Sequence, residues 1–173
     1  MQKQERANWQ CRYRLSKYRE DITPFRSNNN ETGFHEIFTP YEVIEGKGNC
    51  LLNSGIDEIW DLVTGATSGS GHIFDNSYAQ IGVGDSDTAA QATQTDLQAA
   101  SNKTYKGMES GYPTSTAQQA VFKASFGNSE ANYAWNEWVV KQSTSGICLN
   151  RKVENLGTKA SGTWTLEVEI TLS

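Results

Sequence analysis

The residues that most resemble a binding motif are two glycines, Gly82 and Gly84, in the stretch IGVGDSDTAAQATQTDL. Glycine pairs of this kind occur in loops that bind dinucleotide phosphates, but those loops need a third glycine three residues later. That position holds Asp87, and Asp85 adds a second negative charge where a phosphate would lie. The sequence therefore predicts a short strand, a sharp turn and a polar excursion that returns at Leu97, and no nucleotide cofactor.

Other residue types that could support chemistry are few. The oxygens of Asp85 and Asp87 could face a calcium ion, but the further acid and glycine of a known calcium loop are missing, so this option stays open. The two histidines, His35 and His72, match no metal-binding spacing, and no Gly-x-Ser-x-Gly elbow is present. No sequence pattern indicates that a cysteine and a histidine form a catalytic pair. We therefore predict no catalytic residue and no metal site.

One aromatic segment allows two interpretations. Glu137 lies between Trp135 and Trp138, an arrangement that could place a carboxylate in an aromatic cleft for a surface ligand such as a sugar. Tryptophans bury large apolar areas, so the same residues also suit a core or an interface. The sequence leaves both interpretations open and favours the core.

The charge is distributed unevenly along the 173 residues. The net charge is −5, but the first 30 residues hold seven basic and three acidic side chains, so they carry +4 and the remainder carries −9. A basic, aromatic start on an acidic body is typical of an arm that binds a partner. The residues predicted to bind a partner are Trp9, Arg12, Tyr13, Arg14, Lys17, Tyr18, Arg19 and Arg26.

These features predict two regions, a basic arm with an extended lead-in over residues 1–48 and a body over residues 49–173. Basic side chains that alternate with aromatic ones could also bind nucleic acid. The acidic body would repel phosphates, however, so a protein surface is the favoured partner of the arm. No apolar run approaches the roughly 20 residues of a membrane span, and no secretory signal is evident. The cysteines, Cys11, Cys50 and Cys148, are predicted to be reduced thiols.

The C-terminal half predicts antiparallel strands. In GTWTLEVEITLS, residues 164–172 alternate strictly, with the even-numbered apolar residues on one face and polar residues on the other. AVFKASF, YAWNEWVVK and ICLNRKV are further strand candidates, separated by turn residues. The fold class predicted is mainly β, an antiparallel β-sandwich or jelly roll with one short helix and an extended N-terminal arm.

The one predicted helix lies in GKGNCLLNSGIDEIWDLVTG. Its apolar residues recur with helical spacing, so we expect them to pack against the sheet. Asn49 is the expected N-cap and Gly65 the expected left-handed stop. The apolar positions are Leu51, Leu52, Ile56, Ile59, Trp60 and Val63.

Four stretches, taken together, resemble virion structural proteins of tailed bacteriophages: GNCLLNSGIDEIWDLVTG, YAQIGVGDSDTAAQATQTDLQAA, VFKASFGNSEANYAWNEWVV and LNRKVENLGTKASGTWTLEVEITLS. The resemblance covers residues 49–173 and excludes 1–48. It implies a non-enzymatic, β-rich module, and such modules are found both as head decoration and as tail components.

The resemblance leads us to expect a capsid decoration, or cement, protein that binds the major capsid protein or other virion subunits through its arm and body. The alternative is a tail or baseplate protein that binds a host glycan near Trp135. We expect a homo-oligomer on a symmetric lattice, located in the virion after synthesis in the host cytoplasm. No cofactor, nucleic acid or membrane partner is expected.

Overall fold

The structure, a computed structural model, describes residues 7–28 and 38–173, with the side chains of residues 26–28 excepted. It contains two five-stranded antiparallel sheets, one α-helix and one 3₁₀ helix (Thr23–Asn28) in this part of the chain. The strands are β1 (Trp9–Tyr18), β2 (Glu42–Lys47), β3 (Cys50–Leu51), β4 (Ala79–Gly84), β5 (Lys103–Gly107), β6 (Thr114–Thr116), β7 (Gln119–Phe126), β8 (Glu137–Gln142), β9 (Cys148–Val153) and β10 (Thr163–Leu172).

The two sheets, here named A and B, divide the strands equally. Sheet A has the order β2-β1-β10-β7-β6, and sheet B has the order β3-β9-β8-β4-β5. The apolar residues of both sheets join one buried cluster, which makes the fold a β-sandwich. The predicted mainly β, antiparallel class with a single short α-helix is therefore confirmed.

The predicted C-terminal strand is confirmed as a central strand of sheet A. In β10, Trp164, Leu166, Val168 and Ile170 are all buried in the core cluster, whereas Glu167 and Glu169 on the opposite face are half-buried. The strand pairs with β1 on one side and β7 on the other. The alternation therefore identified the core-facing side correctly from Trp164 to Ile170, whereas Leu172 at the end of the strand is exposed and Thr165 on the opposite face is also buried.

Aromatic rings fill one end of the core. Trp135 precedes β8, and its ring lies edge-on to Phe126 at 4.8 Å and to Trp164 at 4.9 Å between ring centroids. Its indole N–H donates to the Ala131 carbonyl over 2.9 Å, so the ring is buried without an unpaired donor.

The predicted arm is wrong for residues 9–18, which form β1 in the middle of sheet A. This strand pairs with β10 over its whole length, from Trp9 opposite Leu172 to Tyr18 opposite Thr163. Leu15 is fully buried, and β2 covers the other side of the strand. The boundary predicted at residue 48 therefore does not separate an arm from a body, because strands on both sides of it build the sandwich.

The predicted helix is present as α1 (Asn53–Thr64), but its predicted N-cap is wrong and its predicted packing is right only in part. Asn49 does not cap it, since Leu52 holds the N-cap position and Asn49 Oδ1 accepts a hydrogen bond from Trp9 Nε1. The apolar stripe packs only in part as predicted: Leu52 is fully buried and Ile59 packs against the core cluster, whereas Ile56, Trp60 and Val63 are exposed. Gly65 does end the helix in the left-handed conformation, with φ of 72°. No helix among the described residues is long and apolar enough to span a membrane.

A truncation in β1 tests whether this segment belongs to the core. Leu15→Ala should lower the free energy of unfolding by about 2–5 kcal/mol, because it leaves a cavity in a close-packed sheet interface. Arg12→Ala, on the exposed face of the same strand, should cost about 0.5 kcal/mol or less. Urea denaturation followed by tryptophan fluorescence measures both values, and equal midpoints for the two variants would contradict the placement of β1.

Candidate functional site

The most exposed apolar residues of the described chain include three that share one face of α1. Ile56, Trp60 and Val63 are 37%, 62% and 71% exposed. Their spacing of four and then three residues places them in one stripe along the helix. An exposed tryptophan with aliphatic neighbours on a regular element is the composition of a protein-binding anchor.

The helix exposes this stripe because a different side of it packs against sheet B. Gly55 lies so close to β9 that a Cβ atom there would be 2.5 Å from the Leu149 carbonyl oxygen. Glu58 is buried on the same side and contacts His72 Nδ1 over 2.9 Å. The close approach at Gly55 therefore sets the rotation of the helix and leaves the apolar stripe facing outward.

An apolar groove with a volume of about 380 Å³ runs beside the stripe. Ile59 of α1 is half-buried and forms part of its wall, which joins the groove to the exposed stripe. No charged side chain lines the groove. Its other apolar walls include Trp9, Phe122, Leu149, Ile170 and Leu172. We call the stripe and the groove together the α1 face.

The loop between β4 and β5, residues 85–102, holds the start of α1. The Asn53 amide donates to the Ala92 carbonyl over 2.9 Å, and Leu97 packs in a small cluster with Leu52, Val139 and Cys148. The excursion that returns at Leu97 is thus confirmed. It covers the outer side of sheet B and orients the helix.

That loop is anchored by a completely buried ion pair between Arg151 of β9 and Glu137 of β8. Arg151 Nε donates to Glu137 Oε2 over 2.7 Å, and both side chains are 0% exposed. The same carboxylate accepts hydrogen bonds from the backbone amides of Gln98 and Ala99, over 2.9 and 2.7 Å. The remaining guanidinium nitrogens donate to Gln94 Oε1 and to the Thr88 carbonyl.

The two glycines of the Gly-x-Gly motif are explained by packing around this pair. A Cβ atom on Gly84 would lie 2.5 Å from Glu137 Oε1, and one on Gly82 would lie 2.7 Å from the Tyr105 ring. Both glycines are in β4, as the strand prediction required. They are glycines because neighbouring side chains leave no room for a Cβ atom.

A second polar cluster fixes the middle of the loop. Asp96 accepts hydrogen bonds from the Tyr105 hydroxyl over 2.7 Å and from Lys141 Nζ over 2.5 Å. Burial opposes its charge, but the bonds from Lys141 and Tyr105 outweigh that effect and hold the pKa of Asp96 below its usual value. Burial, with Asp96 as hydrogen-bond partner, raises the pKa of Tyr105.

The thiols of Cys11 and Cys148 are poorly suited to nucleophilic chemistry. Cys11, Cys50 and Cys148 are free cysteines, and burial raises the pKa of both Cys11 and Cys148 to about 12. A thiol with so high a pKa holds almost no thiolate at neutral pH. Among the described residues, no group of three or more His, Cys, Asp or Glu side chains could hold a metal ion. Asp85 instead accepts a hydrogen bond from Asn102 Nδ2 over 2.7 Å.

The aromatic cluster predicted as a surface or ligand site is wrong. Trp135, Glu137 and Trp138 are each 0% exposed. The two tryptophans belong to the sandwich core, and the carboxylate is used by Arg151 and the loop. The alternative interpretation as core residues is confirmed.

The residues predicted to bind a partner do not form one surface. Tyr13, Lys17 and Tyr18 are buried, and Lys17 Nζ contacts Glu42 Oε2 over 2.8 Å. Trp9 is half-buried and lines the groove described above, and Arg19 stacks over the Tyr41 ring at 5.1 Å. The side chain of Arg26 lies outside the described residues, as does His35.

Only Arg12 and Arg14 of that set stand side by side on the exposed face of sheet A. They pair across the strands with Glu169 and Glu167, and Arg14 also contacts Glu45 over 3.7 Å. These residues line an open, charged depression of about 650 Å³. Opposite charges across the strands neutralise one another, so this face offers little net attraction to an acidic partner.

Sequence reasoning missed Arg151, Gln94 and Thr88, which join strand residues to a distant loop. Nothing in their local sequence marks this role, since the contacts span 57 and 63 residues. One feature of the sequence could have indicated that the α1 stripe is exposed, namely the glycine at position 55 inside a helical pattern. Such a glycine often marks a close approach of backbones, and hence the packed side.

Breaking the buried ion pair should be costly. Glu137→Gln should lower the free energy of unfolding by about 3–5 kcal/mol, because Arg151 is left as an unpaired buried charge. Hydrogen exchange of the Gln98 and Ala99 amides should also accelerate. Urea denaturation and amide exchange measure these effects, with Asp87→Asn as a control at an exposed acid of the same loop. A loss below about 1 kcal/mol would mean that the pair is not a structural anchor.

Asp96 should make stability depend on pH in the acid range. Its folded pKa is lowered, so its contribution is present above its unfolded pKa of about 3.9 and is lost as the pH falls through the folded pKa. Asp96→Asn should therefore be less stable than the parent at pH 7, and the difference should shrink below about pH 4. Urea midpoints across a pH series measure it, and a difference that is independent of pH would contradict the assignment.

Comparison of the chain with protein-family models, with curated proteins and with solved structures returned no match.

Proposed function

We propose that this chain is a non-catalytic structural subunit of a tailed-bacteriophage virion, and that it decorates the outer capsid shell. The proposal joins two lines of support, the sequence resemblance of residues 49–173 and the exposed apolar α1 face. The single observation that carries it is the stripe of Ile56, Trp60 and Val63 on a helix that the fold holds in place.

The exposed stripe favours a binding role. The polar clusters do not favour an enzymatic role, because they already have a structural use. The polar and charged clusters around Glu137 and Asp96 are hydrogen-bonded internally and anchor a loop. The apolar stripe, by contrast, has no internal use, and its exposure in water is unfavourable until a partner covers it. A protein that stabilises an assembled shell needs such an anchor on a rigid scaffold.

This proposal changes the expected mode of attachment. The predicted tether was a basic arm, but Trp9–Tyr18 is an interior strand of sheet A, so attachment is assigned to the folded body and its α1 face. On a symmetric shell, repeated copies would bind many equivalent positions, so that a modest single contact suffices for stable decoration. The partner would be the major capsid protein or another virion subunit.

Copy number tests the proposal and separates it from a tail position. Quantitative mass spectrometry of purified virions that contain this chain should find a copy number comparable to that of the major capsid protein. A much smaller number would place the chain in the tail or baseplate, and absence from the virion would refute both. Trp135 and Trp138, the residues expected to bind a glycan if the chain is a tail protein, are buried and so do not offer a surface site for one.

A rebinding assay tests the α1 face directly. Trp60→Ser should weaken co-sedimentation with particles stripped of the protein by about thirtyfold, because an exposed tryptophan at the centre of an interface is a typical hot spot. Val43→Ser is the matched control, since Val43 is also exposed but lies on β2 of sheet A. Equal loss in both variants, or no loss with Trp60→Ser, would remove the α1 face from the proposal.

A further inference from the structure

We infer that the α1 face binds an amphipathic helical segment of a partner protein whose apolar stripe is flanked by lysine or arginine. This inference rests on the proposed function only in taking the α1 face to be an interface. It goes further by naming the chemistry of the partner, which follows from the shape of the face and from the charges around it.

The shape of the face suits an apolar ridge of the partner. Ile56, Trp60 and Val63 protrude along α1, and beside them lies the uncharged groove of about 380 Å³, with Ile59 between the two. A neighbouring helix can place its own apolar side chains in such a groove while it packs along the exposed stripe. The helix has 12 residues and is therefore about 18 Å long, which matches a partner segment of three to four turns.

The charged residues of α1 itself are all acidic. Between Lys47 and Lys103 the sequence has no lysine or arginine and seven acidic residues. Asp57 and Asp61 follow Ile56 and Trp60 directly, so they border the apolar stripe on the side away from the groove. No ion pair within the described part of the chain involves either of them. A partner with cations beside its apolar residues would supply the missing counter-charges.

The other acids near the helix are already engaged. Glu58 is buried against His72, and Asp96 is bonded to Lys141 and Tyr105. The attraction for a basic partner therefore comes mainly from Asp57 and Asp61. This makes the electrostatic part of the inference testable at two residues whose side chains form no ion pair within the described part of the chain.

The same charges argue against two other occupants. In a symmetric dimer formed through the stripe, Asp57 and Asp61 of one copy would approach those of the other, and like charges at an interface are unfavourable. Nucleic acid would meet the same acidic border with its phosphates. A basic, apolar protein segment is the occupant that satisfies both the charges and the groove.

A peptide-binding assay with the free, full-length protein tests the inference. The probe is a fluorescent amphipathic peptide of about 14 residues with leucine on one face and lysine on the other, and its control replaces lysine by glutamate. Fluorescence polarisation should show saturable one-to-one binding of the Leu/Lys peptide and none of the Leu/Glu peptide. Trp60→Ser and, separately, Val63→Ser should weaken binding, the former by about thirtyfold, whereas Val43→Ser should not.

Charge variants test the acidic border. Replacing Asp57 and Asp61 together by asparagine should weaken binding and reduce its dependence on salt concentration, because two counter-charges are removed. Asp87→Asn, at an exposed acid outside the helix, should leave both unchanged. These residues are not buried in the core, so circular dichroism should show folded protein for every variant.

Several outcomes would overturn the inference. These are no saturable binding of the Leu/Lys peptide, equal binding of the Leu/Glu peptide, or unchanged binding by both the Trp60→Ser and the Val63→Ser variants. A concentration-dependent dimer in sedimentation that Trp60→Ser dissolves would assign the face to a second copy instead. Because the assay contains no particles, peptide binding by a chain that is absent from virions would refute the proposed function alone.

Discussion

The arrangement of the α1 face depends on one buried ion pair, Arg151 with Glu137. Removing both charges from water is expensive, and the cost is offset only because every polar atom of the pair has a partner. Those partners are mostly backbone and side-chain groups of the loop over residues 85–102. The pair therefore holds that loop on sheet B, and the loop in turn supports the first turn of α1 through Ala92. The orientation of an exposed surface is thus set by charges in the interior.

Packing at Gly55 supplies the second constraint. Because the helix backbone approaches Leu149 so closely, the side of α1 that carries Gly55 and Glu58 must face the sheet. Most of the larger apolar residues are consequently turned outward, against the usual expectation for an amphipathic helix. A buried carboxylate and an exposed tryptophan on one helix are both unfavourable for an isolated domain. Together they indicate that stability alone did not decide the composition of this element.

Sequence reasoning recovered the elements whose pattern is local. The alternation in residues 164–172, the strand ending at Gly84 and the left-handed stop at Gly65 were all predictable, because each depends on neighbours in the chain. β1 also alternates, with Cys11, Tyr13 and Leu15 facing the core, but Arg12, Arg14 and the buried Lys17 made the segment resemble a charged arm. Lys17 is accommodated by Glu42 and by the Trp164 ring, 4.3 Å away. Neither partner is adjacent in sequence, so its burial could not be inferred.

The candidate site was predicted less well, for the same reason. Periodicity correctly identified an apolar helix face, but which side meets the sheet depends on Leu149, far along the chain. Likewise, Glu137 was singled out for chemistry, whereas its function is set by Arg151 and by amides of a distant loop. Long-range contacts decided both cases, and Gly55 was the one local signal that pointed to either of them.

The pairing of β1 with β10 also has a consequence for how the chain can fold during synthesis. All strands of sheet B lie within residues 50–153, whereas sheet A joins Trp9 to Leu172. A growing chain therefore cannot complete sheet A until β10 has left the ribosome, and until then one edge of β1 lacks its hydrogen-bonding partner. Late, non-local pairing of this kind is slow and exposes strand edges to other chains. The complete sandwich can therefore form only after β10 has been synthesised.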